Sequence, residues 1–306
     1  MRQIKKILIA NRSEIAIRIS RAATELGFKT VSIYSYEDRF ALHRFKTDES
    51  YLVGSGLGPI QAYLDYKGIV QIAVNSGCDA IHPGYGFLSE NPEFADECAK
   101  YNIIFVGPSP NIMRSLGNKV EAKKTAGKAK VPTIPSTGPL PKDLKKCKDL
   151  AKKIGYPIML KASWGGGGRG MRVIKKETEL ENHINTARRE AKSAFGKDDV
   201  FFEKLIEKAF HVEVQIIGDT HGNIVHLFER DCSLQRRHQK VVERAPAAYL
   251  SDKERNAICE AGVRIGKQVN YSCAGTVEFL MDAKSRDFFF IEVNPRVQVE
   301  HTVTEE

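Results

Sequence analysis

Residues 161–171 read KASWGGGGRGM and carry the strongest local signal in the sequence. Glycine loses more conformational freedom on folding than any other residue, so a chain keeps four in a row where the backbone must approach a ligand or where a loop must move. Strand-like runs flank the glycines at 157–161 and 171–174, whereas a Walker loop leads into a helix. The pattern predicts a hairpin whose amides cover phosphate groups, with Lys161 adding a positive charge. A flexible surface hairpin is the alternative.

Upstream of this hairpin, predicted strands and helices alternate through the first third of the chain. Strands are predicted at 6–10, 30–35, 80–82 and 103–106, and helices at 13–26, 60–76 and 92–100. This βαβ order predicts an α/β unit with a parallel sheet. Its first turn, residues 11–14 (NRSE), lacks the GxGxxG pattern, so a dinucleotide-binding dehydrogenase is disfavoured.

The remainder of the chain is predicted to be an α+β region. Residues 131–141 hold four prolines, which interrupt regular structure. Strands are predicted at 200–206, 211–217, 224–229, 275–281 and 288–293. We therefore predict two domains, 1–117 and 118–306, with residues from about 132 to 203 forming a small lobe that closes as a lid.

The composition excludes several classes of protein. Hydrophobic residues make up 42% of the 306 and charged residues 28%, as in globular proteins and unlike disordered or fibrous ones. No apolar run approaches the ~18–20 residues of a membrane span, and the N-terminus lacks the pattern of a signal peptide. The six cysteines form no CxxC pair, which argues against zinc and indicates a reducing, cytoplasmic environment.

The net charge of 47 − 38 = +9 indicates an anionic partner. The densest basic stretch, residues 118–130, holds five lysines and one acid. A surface that binds nucleic acid would have aromatic residues between its lysines, and this stretch has none. We predict a mostly solvated helix face with at most one functional lysine, a small anionic ligand and no nucleic-acid or membrane partner.

Polar and apolar residues alternate through 292–300 (EVNPRVQVE). In an extended segment this period places five polar side chains on one face. A half-exposed strand is the alternative, and Pro295 interrupts any strand pairing. Glu278 lies in a neighbouring strand-like run. Two carboxylates, Glu278 and Glu292, and the Asn294 amide on adjacent strands predict a Mg²⁺ site for nucleotide phosphates.

Two further segments have compositions typical of a site. Residues 211–215 (HVEVQ) alternate in the same way, with His211 and Glu213 on one face. Residues 231–240 (DCSLQRRHQK) concentrate basic side chains in a composition typical of anion binding. A solvated basic loop is the alternative for this second segment.

Together these motifs resemble the biotin carboxylase family of ATP-grasp enzymes. The resemblance spans essentially the whole chain and rests on residues 9–16 (IANRSEIA), 82–90 (HPGYGFLSE), 161–171, 203–204, 211–213, 229–243 (ERDCSLQRRHQKVVE) and 292–300. Residues 293–296 (VNPR) and 301–305 (HTVTE) are similar to the pyruvate carboxylase branch rather than to acetyl-CoA carboxylases. The resemblance implies a Rossmann-like pre-ATP-grasp domain of parallel βαβ units, followed by an ATP-grasp domain with a mobile glycine-rich lid.

The resemblance also implies a reaction, in which ATP, bicarbonate and carrier-bound biotin give ADP, phosphate and carboxybiotin through carboxyphosphate. The implied nucleotide-binding residues are Lys119, Lys161, Gly166, Gly167, Met171, Glu203, Lys204, His211, Gln235, His238 and Leu280. The implied ligands of Mg²⁺ or Mn²⁺ are Glu278, Glu292 and Asn294. The implied bicarbonate pocket is Lys240, Arg296, Gln298, Val299 and Glu300, of which Lys240, Arg296 and Glu300 are catalytic and Glu300 is the base.

The partners that the resemblance implies are a biotin carrier domain, a carboxyltransferase domain and further copies of the chain in a homo-oligomer. Against the family pattern, we expect a third, C-terminal subdomain to be absent from these 306 residues. A non-catalytic nucleotide-binding remnant and the biotin carboxylase of an acyl-CoA carboxylase are the alternatives. A different ATP-grasp ligase, such as a carboxylate–amine ligase, is disfavoured by residues 235–240 (QRRHQK).

Overall fold

The computed structural model describes residues 3–163, 171–236 and 239–306. The first part of the chain builds a parallel five-stranded sheet in the order β3-β2-β1-β4-β5. Its strands are β1 (Lys6–Ile9), β2 (Lys29–Tyr34), β3 (Glu49–Leu52), β4 (Ala80–His82) and β5 (Ile104–Phe105). Leu8, Val31 and Ile81 from adjacent strands are buried in one core, as expected for a parallel sheet with helices on its faces. The predicted parallel α/β unit is confirmed.

Five helices accompany this sheet. They are α1 (Ser13–Glu25), α2 (Pro59–Leu64), α3 (Tyr66–Asn75), α4 (Pro92–Lys100) and α5 (Pro110–Gly117). The single helix predicted at 60–76 is wrong, because Asp65 separates α2 from α3. The Asp65 backbone leaves the helical conformation, and its side chain accepts a hydrogen bond from the Gly68 amide at 3.1 Å. Asp65 therefore caps a new helix.

A small antiparallel sheet of order β7-β6-β8 follows. In chain order this region contains α6 (Lys119–Lys128), α7 (Leu144–Ile154), β6 (Ile158–Ala162), β7 (Arg172–Ile174), α8 (Leu180–Phe195) and β8 (Val200–Lys204). Ile158, Leu160 and Phe202 belong to a hydrophobic cluster of this lobe. Strands β6 and β7 pair as predicted, and the glycines between them lie outside the described residues.

A larger antiparallel sheet, β11-β10-β9-β12-β13, carries most of the predicted site. Its elements are β9 (Ala209–Gly218), β10 (Ile224–Arg236), β11 (Gln239–Arg244), α9 (Asp252–Gln268), β12 (Cys273–Asp282) and β13 (Phe288–Asn294). Helix α9 packs its buried face, which includes Ile258 and Ile265, on this sheet. In the basic segment 231–240, residues 231–236 form the end of β10 and residues 239–240 begin β11, so the described residues lie in strands rather than in the alternative loop.

The extended segment predicted at 292–300 is wrong beyond Asn294, where β13 ends. Pro295 has no amide hydrogen to continue the ladder, and the Arg296 amide donates instead to the Asn294 carbonyl at 2.9 Å. The chain then turns into the short helix α10 (His301–Glu305). Within the described ranges, no helix combines the length and the apolar character that crossing a membrane requires.

Candidate active site

A row of charged residues crosses four strands of the larger sheet. In register, Arg230 on β10 lies opposite Glu213 on β9, Glu213 opposite Glu278 on β12, and Glu278 opposite Glu292 on β13. Like charges directly opposite one another destabilise a sheet. The three neighbouring carboxylates therefore require cations close to them.

The three predicted metal ligands come together at one end of this row. Asn294 donates from Nδ2 to Glu278 Oε1 at 2.7 Å, and Lys119 Nζ lies 3.6 Å from Glu292 Oε2. Two opposed carboxylates and an amide side chain form an oxygen-donor set of the kind that Mg²⁺ binds. The chemistry of these residues fits a divalent cation.

A chain of polar contacts supports Glu278 from the other side. Gln235 Nε2 lies 2.9 Å from His211 Nδ1, and His211 Nε2 lies 2.8 Å from Glu278 Oε2. Because the Gln235 amide donates to Nδ1, the imidazole proton on Nε2 is directed at the carboxylate. Burial opposes ionisation of Glu278, but the His211 hydrogen bond and the Lys240 charge more than offset it, so the pKa of Glu278 is lowered.

Lys240, on β11, connects the predicted metal residues with the predicted bicarbonate residues. Its ammonium ion-pairs with Glu213 and lies 2.9 Å from Glu278 Oε1 and 3.1 Å from Glu300 Oε1. Burial alone would lower the pKa of Lys240, but Glu278 and Glu213 outweigh burial and raise it. Lys240 is therefore a fixed positive charge at the centre of the site.

A second buried carboxylate, Glu203 on β8, lies between two lysines. One oxygen ion-pairs with Lys161 of β6 and the other with Lys123 of α6. Burial raises the pKa of Glu203, but the two lysines more than offset this effect and the net shift is downward. Lys119 and Lys123 lie one helical turn apart and both face carboxylates, so α6 directs two lysines toward the site.

The turn after β13 holds the remaining predicted bicarbonate residues. Arg296 donates from Nε to Glu90 Oε1 at 2.7 Å, which joins this turn to the segment that follows β4. Gln298 is buried and accepts a hydrogen bond from Arg230 Nη2 at 2.8 Å. Val299 is exposed. The turn therefore presents these groups in directions different from those of an extended strand.

Three other predicted nucleotide-binding residues, Lys204, Leu280 and Met171, lie on or beside strands β8, β12 and β7. The Lys204 ammonium donates to the Gly155 and Tyr156 carbonyls at 2.9 and 3.3 Å, on the opposite face of β8 from Glu203. Leu280 lies opposite His211 across β12 and β9, and Met171 directly precedes β7. Gly166, Gly167 and His238 lie outside the described residues.

The sequence assigns no role to four polar residues that the structure brings to this site. Three of them lie within the family-like segments 82–90 and 229–243, but nothing in the local pattern separates them from ordinary surface charges. The four residues are Glu90, Lys123, Arg230 and Glu243. Glu213 is predicted on the same face as His211, without a role of its own.

Glu243, on β11, has a strongly perturbed titration. Its Oε2 atom is buried without a hydrogen-bond partner among the described residues and lies 4.0 Å from Arg230 Nε. Burial, together with the negative charges of Glu300 and Glu213, raises the pKa of Glu243 from 4.5 to about 7. The folded protein therefore holds this proton over a pH range in which the unfolded chain releases it.

Glu243→Gln is expected to stabilise the protein at high pH only. Because the folded-state pKa is raised, ionising Glu243 lowers stability as the pH rises from 4.5 to about 7. The free energy of unfolding should increase by about 1–2 kcal/mol at pH 8, after a discount for solvent screening, and stay unchanged at pH 4. Urea unfolding at both pH values measures this difference, with Glu25→Gln at an exposed glutamate as the control. An equal effect at both pH values would contradict the role given to the Glu243 proton.

Comparisons with known proteins agree with this geometry. Residues 3–113 match the family model described as "Biotin carboxylase, N-terminal domain", and residues 118–306 match "Carbamoyl-phosphate synthase L chain, ATP binding domain". A solved structure of the biotin carboxylase of Campylobacter jejuni, described as a complex with β,γ-ATP, is 47% identical with a TM-score of 0.94, over 99% of this chain and 68% of that one. The chain belongs to the biotin carboxylase family. The predicted resemblance and the ATP-grasp fold are confirmed.

Within the biotin carboxylase family, curated relatives include larger enzymes. The pyruvate carboxylase of Staphylococcus aureus is 56% identical over all 306 residues, which cover 26% of that protein. A solved structure of Rhizobium etli pyruvate carboxylase is 60% identical with a TM-score of 0.92, over 99% of this chain and 27% of that one. A Hydrogenobacter thermophilus 2-oxoglutarate carboxylase domain, described in complex with MgADP, ADP and bicarbonate, is 46% identical with a TM-score of 0.93, over 100% and 67%. The chain spans about a quarter of the length of the curated relatives it matches.

Proposed function

We propose that this chain catalyses the ATP- and bicarbonate-dependent carboxylation of biotin held on a carrier domain. The observation that carries the proposal is the contact of one ammonium, that of Lys240, with both Glu278 of the metal set and Glu300 of the bicarbonate set. A cation shared in this way suits a site where a nucleotide phosphate meets a second anion. The bicarbonate and MgADP described for the Hydrogenobacter thermophilus relative support the same assignment.

In this proposal Glu278, Glu292 and Asn294 hold the metal, while Lys161 and Lys119 bind nucleotide phosphates. Bound there, Mg²⁺ neutralises charge on the phosphates of ATP. Glu203 orients Lys161 through their ion pair. The nucleotide lies between the small lobe and the larger sheet, since these residues come from both.

Lys240 and Arg296 hold the bicarbonate anion, and Glu300 removes its proton. A bicarbonate oxygen then attacks the γ-phosphorus, the bond from that phosphorus to the bridging oxygen breaks, and ADP leaves. Arg296 offers a planar pair of N–H donors, whereas Lys240 acts as a point charge. The carboxyphosphate so formed splits into CO₂ and phosphate. The phosphate takes the proton of the biotin ureido nitrogen, and this nitrogen then attacks CO₂.

Phosphate release in the presence of MgATP, bicarbonate and free biotin tests this function. We expect release that depends on bicarbonate and that rises when biotin is added. ATP hydrolysis at a rate that does not depend on bicarbonate would instead favour the alternative of a nucleotide-binding remnant. The close match to carboxylating relatives does not support that alternative. An unrelated carboxylic acid in place of bicarbonate provides the control.

We further propose that pyruvate is the final acceptor and that a carrier domain and a carboxyltransferase domain are partners, as in the pyruvate carboxylase relatives. The resemblance of residues 293–296 (VNPR) to that branch supports this choice over an acyl-CoA. A cytoplasmic, homo-oligomeric enzyme is part of the same proposal. Pyruvate-dependent formation of oxaloacetate by the intact protein is the corresponding measurement.

The lobe of β6–β8 is proposed to close over the nucleotide. Its hydrophobic cluster, with Ile158 and Phe202, is separate from those of the two larger sheets, which supports a lobe that moves as one body. Hydrogen exchange should therefore slow in peptides covering 157–175 when an ATP analogue is added. Peptides from β1 and β2 serve as the control. Unchanged exchange in 157–175 with the site saturated would count against a lid.

A further inference from the structure

Arg230 is a fully buried arginine in the middle of the larger sheet. A guanidinium has five N–H donors in a rigid plane, and here five different residues accept them. Nε donates to Glu213 at 2.7 Å, Nη1 to Gln215 at 3.0 Å and Thr304 at 2.6 Å, and Nη2 to Gln298 at 2.8 Å and Thr276 at 3.4 Å. The side chain is therefore held in one orientation by β9, β12, the turn after β13 and α10.

Two of these acceptors lead directly to the proposed bicarbonate site. Glu213 uses its second oxygen to ion-pair with Lys240, so it lies between two cations. Gln298 belongs to the turn that carries Arg296 and Glu300. Arg230 thus contacts a partner of the proposed anion-binding lysine and a member of the proposed anion-binding turn.

The charge of Arg230 matters for Lys240. Buried opposite charges attract strongly because little solvent screens them. Without Arg230, Lys240 would be the cation that compensates the negative charge of Glu213, and the two would attract each other more strongly. With Arg230 on its other oxygen, Glu213 attracts Lys240 less. The Lys240 ammonium then has more positive potential to offer an incoming anion.

We propose that Arg230 is a positioning residue for bicarbonate. Arg230 neutralises Glu213, so that Lys240 remains available to the anion, and it fixes Gln298 in the binding turn. This role rests on the proposed function. A purely structural arginine would support the same elements, but its loss would not be relieved by removing a charge from Glu213. That difference separates the two explanations.

The test compares Arg230→Met, Glu213→Gln and the double variant in the intact protein. Arg230→Met should raise the KM for bicarbonate by roughly 10-fold, by analogy with the lower end of the 10–100-fold loss seen when a second-shell partner of a metal ligand is removed, with little change in the KM for ATP. In the double variant no carboxylate at 213 competes for Lys240, so the KM for bicarbonate should return toward the wild-type value. Recovery of this kind is the signature of an electrostatic role.

Arg230→Lys provides a second variant if the methionine protein fails to fold. Lysine keeps the charge beside Glu213 but has three donors in place of five, so we expect a smaller rise in the KM for bicarbonate together with a lower kcat. Arg255→Met is the matched control. Arg255 donates a hydrogen bond of 2.9 Å to another buried carboxylate, that of Glu229, which does not belong to the site. This variant should lower stability and leave the ratio of the two KM values unchanged.

Three outcomes would contradict the positioning role of Arg230, each for a different reason. An unchanged ratio of KM values in both Arg230 variants, with an active wild-type protein, would overturn the positioning role alone. A double variant at least as impaired as Arg230→Met would assign Arg230 a purely structural role. A wild-type protein without bicarbonate-dependent phosphate release would overturn the proposed function, and this role with it.

Discussion

Glu300→Gln is expected to retain ATP binding and to lose bicarbonate-dependent ATP cleavage by about 10²–10⁴-fold, the range for removing a positioned general base. The Glu300 carboxylate lies 3.1 Å from Lys240 Nζ and its side chain is 13% exposed, so it faces the anion that Lys240 binds in our proposal. Glutamine preserves the shape of this side chain. It cannot accept the bicarbonate proton at neutral pH.

Phosphate release measured against bicarbonate concentration gives the size of this loss, and calorimetry gives the affinity for ATP. Glu49→Gln is the control, because Glu49 pairs with Lys6 at the edge of the parallel sheet, away from the site. Near-normal rates in Glu300→Gln would remove this residue from the mechanism. A parallel loss of ATP affinity would indicate a structural role instead.

Glu292→Gln is expected to weaken binding of the Mg²⁺–nucleotide complex by at least about 10–100-fold, the range known for outer-shell partners of a metal. Glu292 lies directly opposite Glu278 in the sheet, and both carboxylates are needed to balance the divalent charge. Binding of the metal-free nucleotide should be unchanged or slightly tighter, since without the metal the Glu292 carboxylate repels the phosphates.

Titration of an ATP analogue with Mg²⁺ and with EDTA separates these two affinities. Glu254→Gln is the control, because its ion pair with Arg286 at 2.8 Å lies on another part of the surface. Equal losses with and without metal would assign Glu292 to packing. In that case the three predicted ligands would no longer form a metal set.

Part of this site was predictable because its signal is local. Carboxylates in two strand-like runs, each beside apolar residues, predicted that Glu278 and Glu292 would meet on adjacent strands, and the register of β12 and β13 confirms it. Period-two alternation likewise placed His211 and Glu213 on one face of β9. Such patterns need only the geometry of a single strand.

The missed residues depend on contacts between distant segments. Lys123 resembles its neighbours in a lysine-rich helix, and only the packing of α6 near β8 brings it to Glu203. Arg230 precedes an aspartate in a charged run, and its burial follows from the pairing of β9 with β10 and β12. Local sequence does not specify which strands become neighbours.

The alternation in 292–300 misled for a related reason. Polar and apolar residues with a period of two are compatible both with a strand and with a turn in which they alternate by chance. Here the strand ends before Pro295, although the alternation continues to residue 300. Two of the polar residues still reach the charged row, because Gln298 accepts a hydrogen bond from Arg230 and Glu300 pairs with Lys240, whereas Arg296 pairs with Glu90. Their convergence comes from the turn into α10 rather than from the pleat of a sheet.

Lys161 and Lys240 each contact a buried carboxylate that has a further cation, Lys123 or Arg230, on its other oxygen. In terms of ion exchange, these carboxylates are built-in counterions for the two lysines to which we assign the substrate anions. In our proposal, an arriving phosphate or bicarbonate exchanges with a tethered anion instead of displacing salt ions from solution. Because counterion release makes the binding of charged partners depend on salt, we expect anion binding at this site to depend less on ionic strength than binding to an open cluster of lysines would.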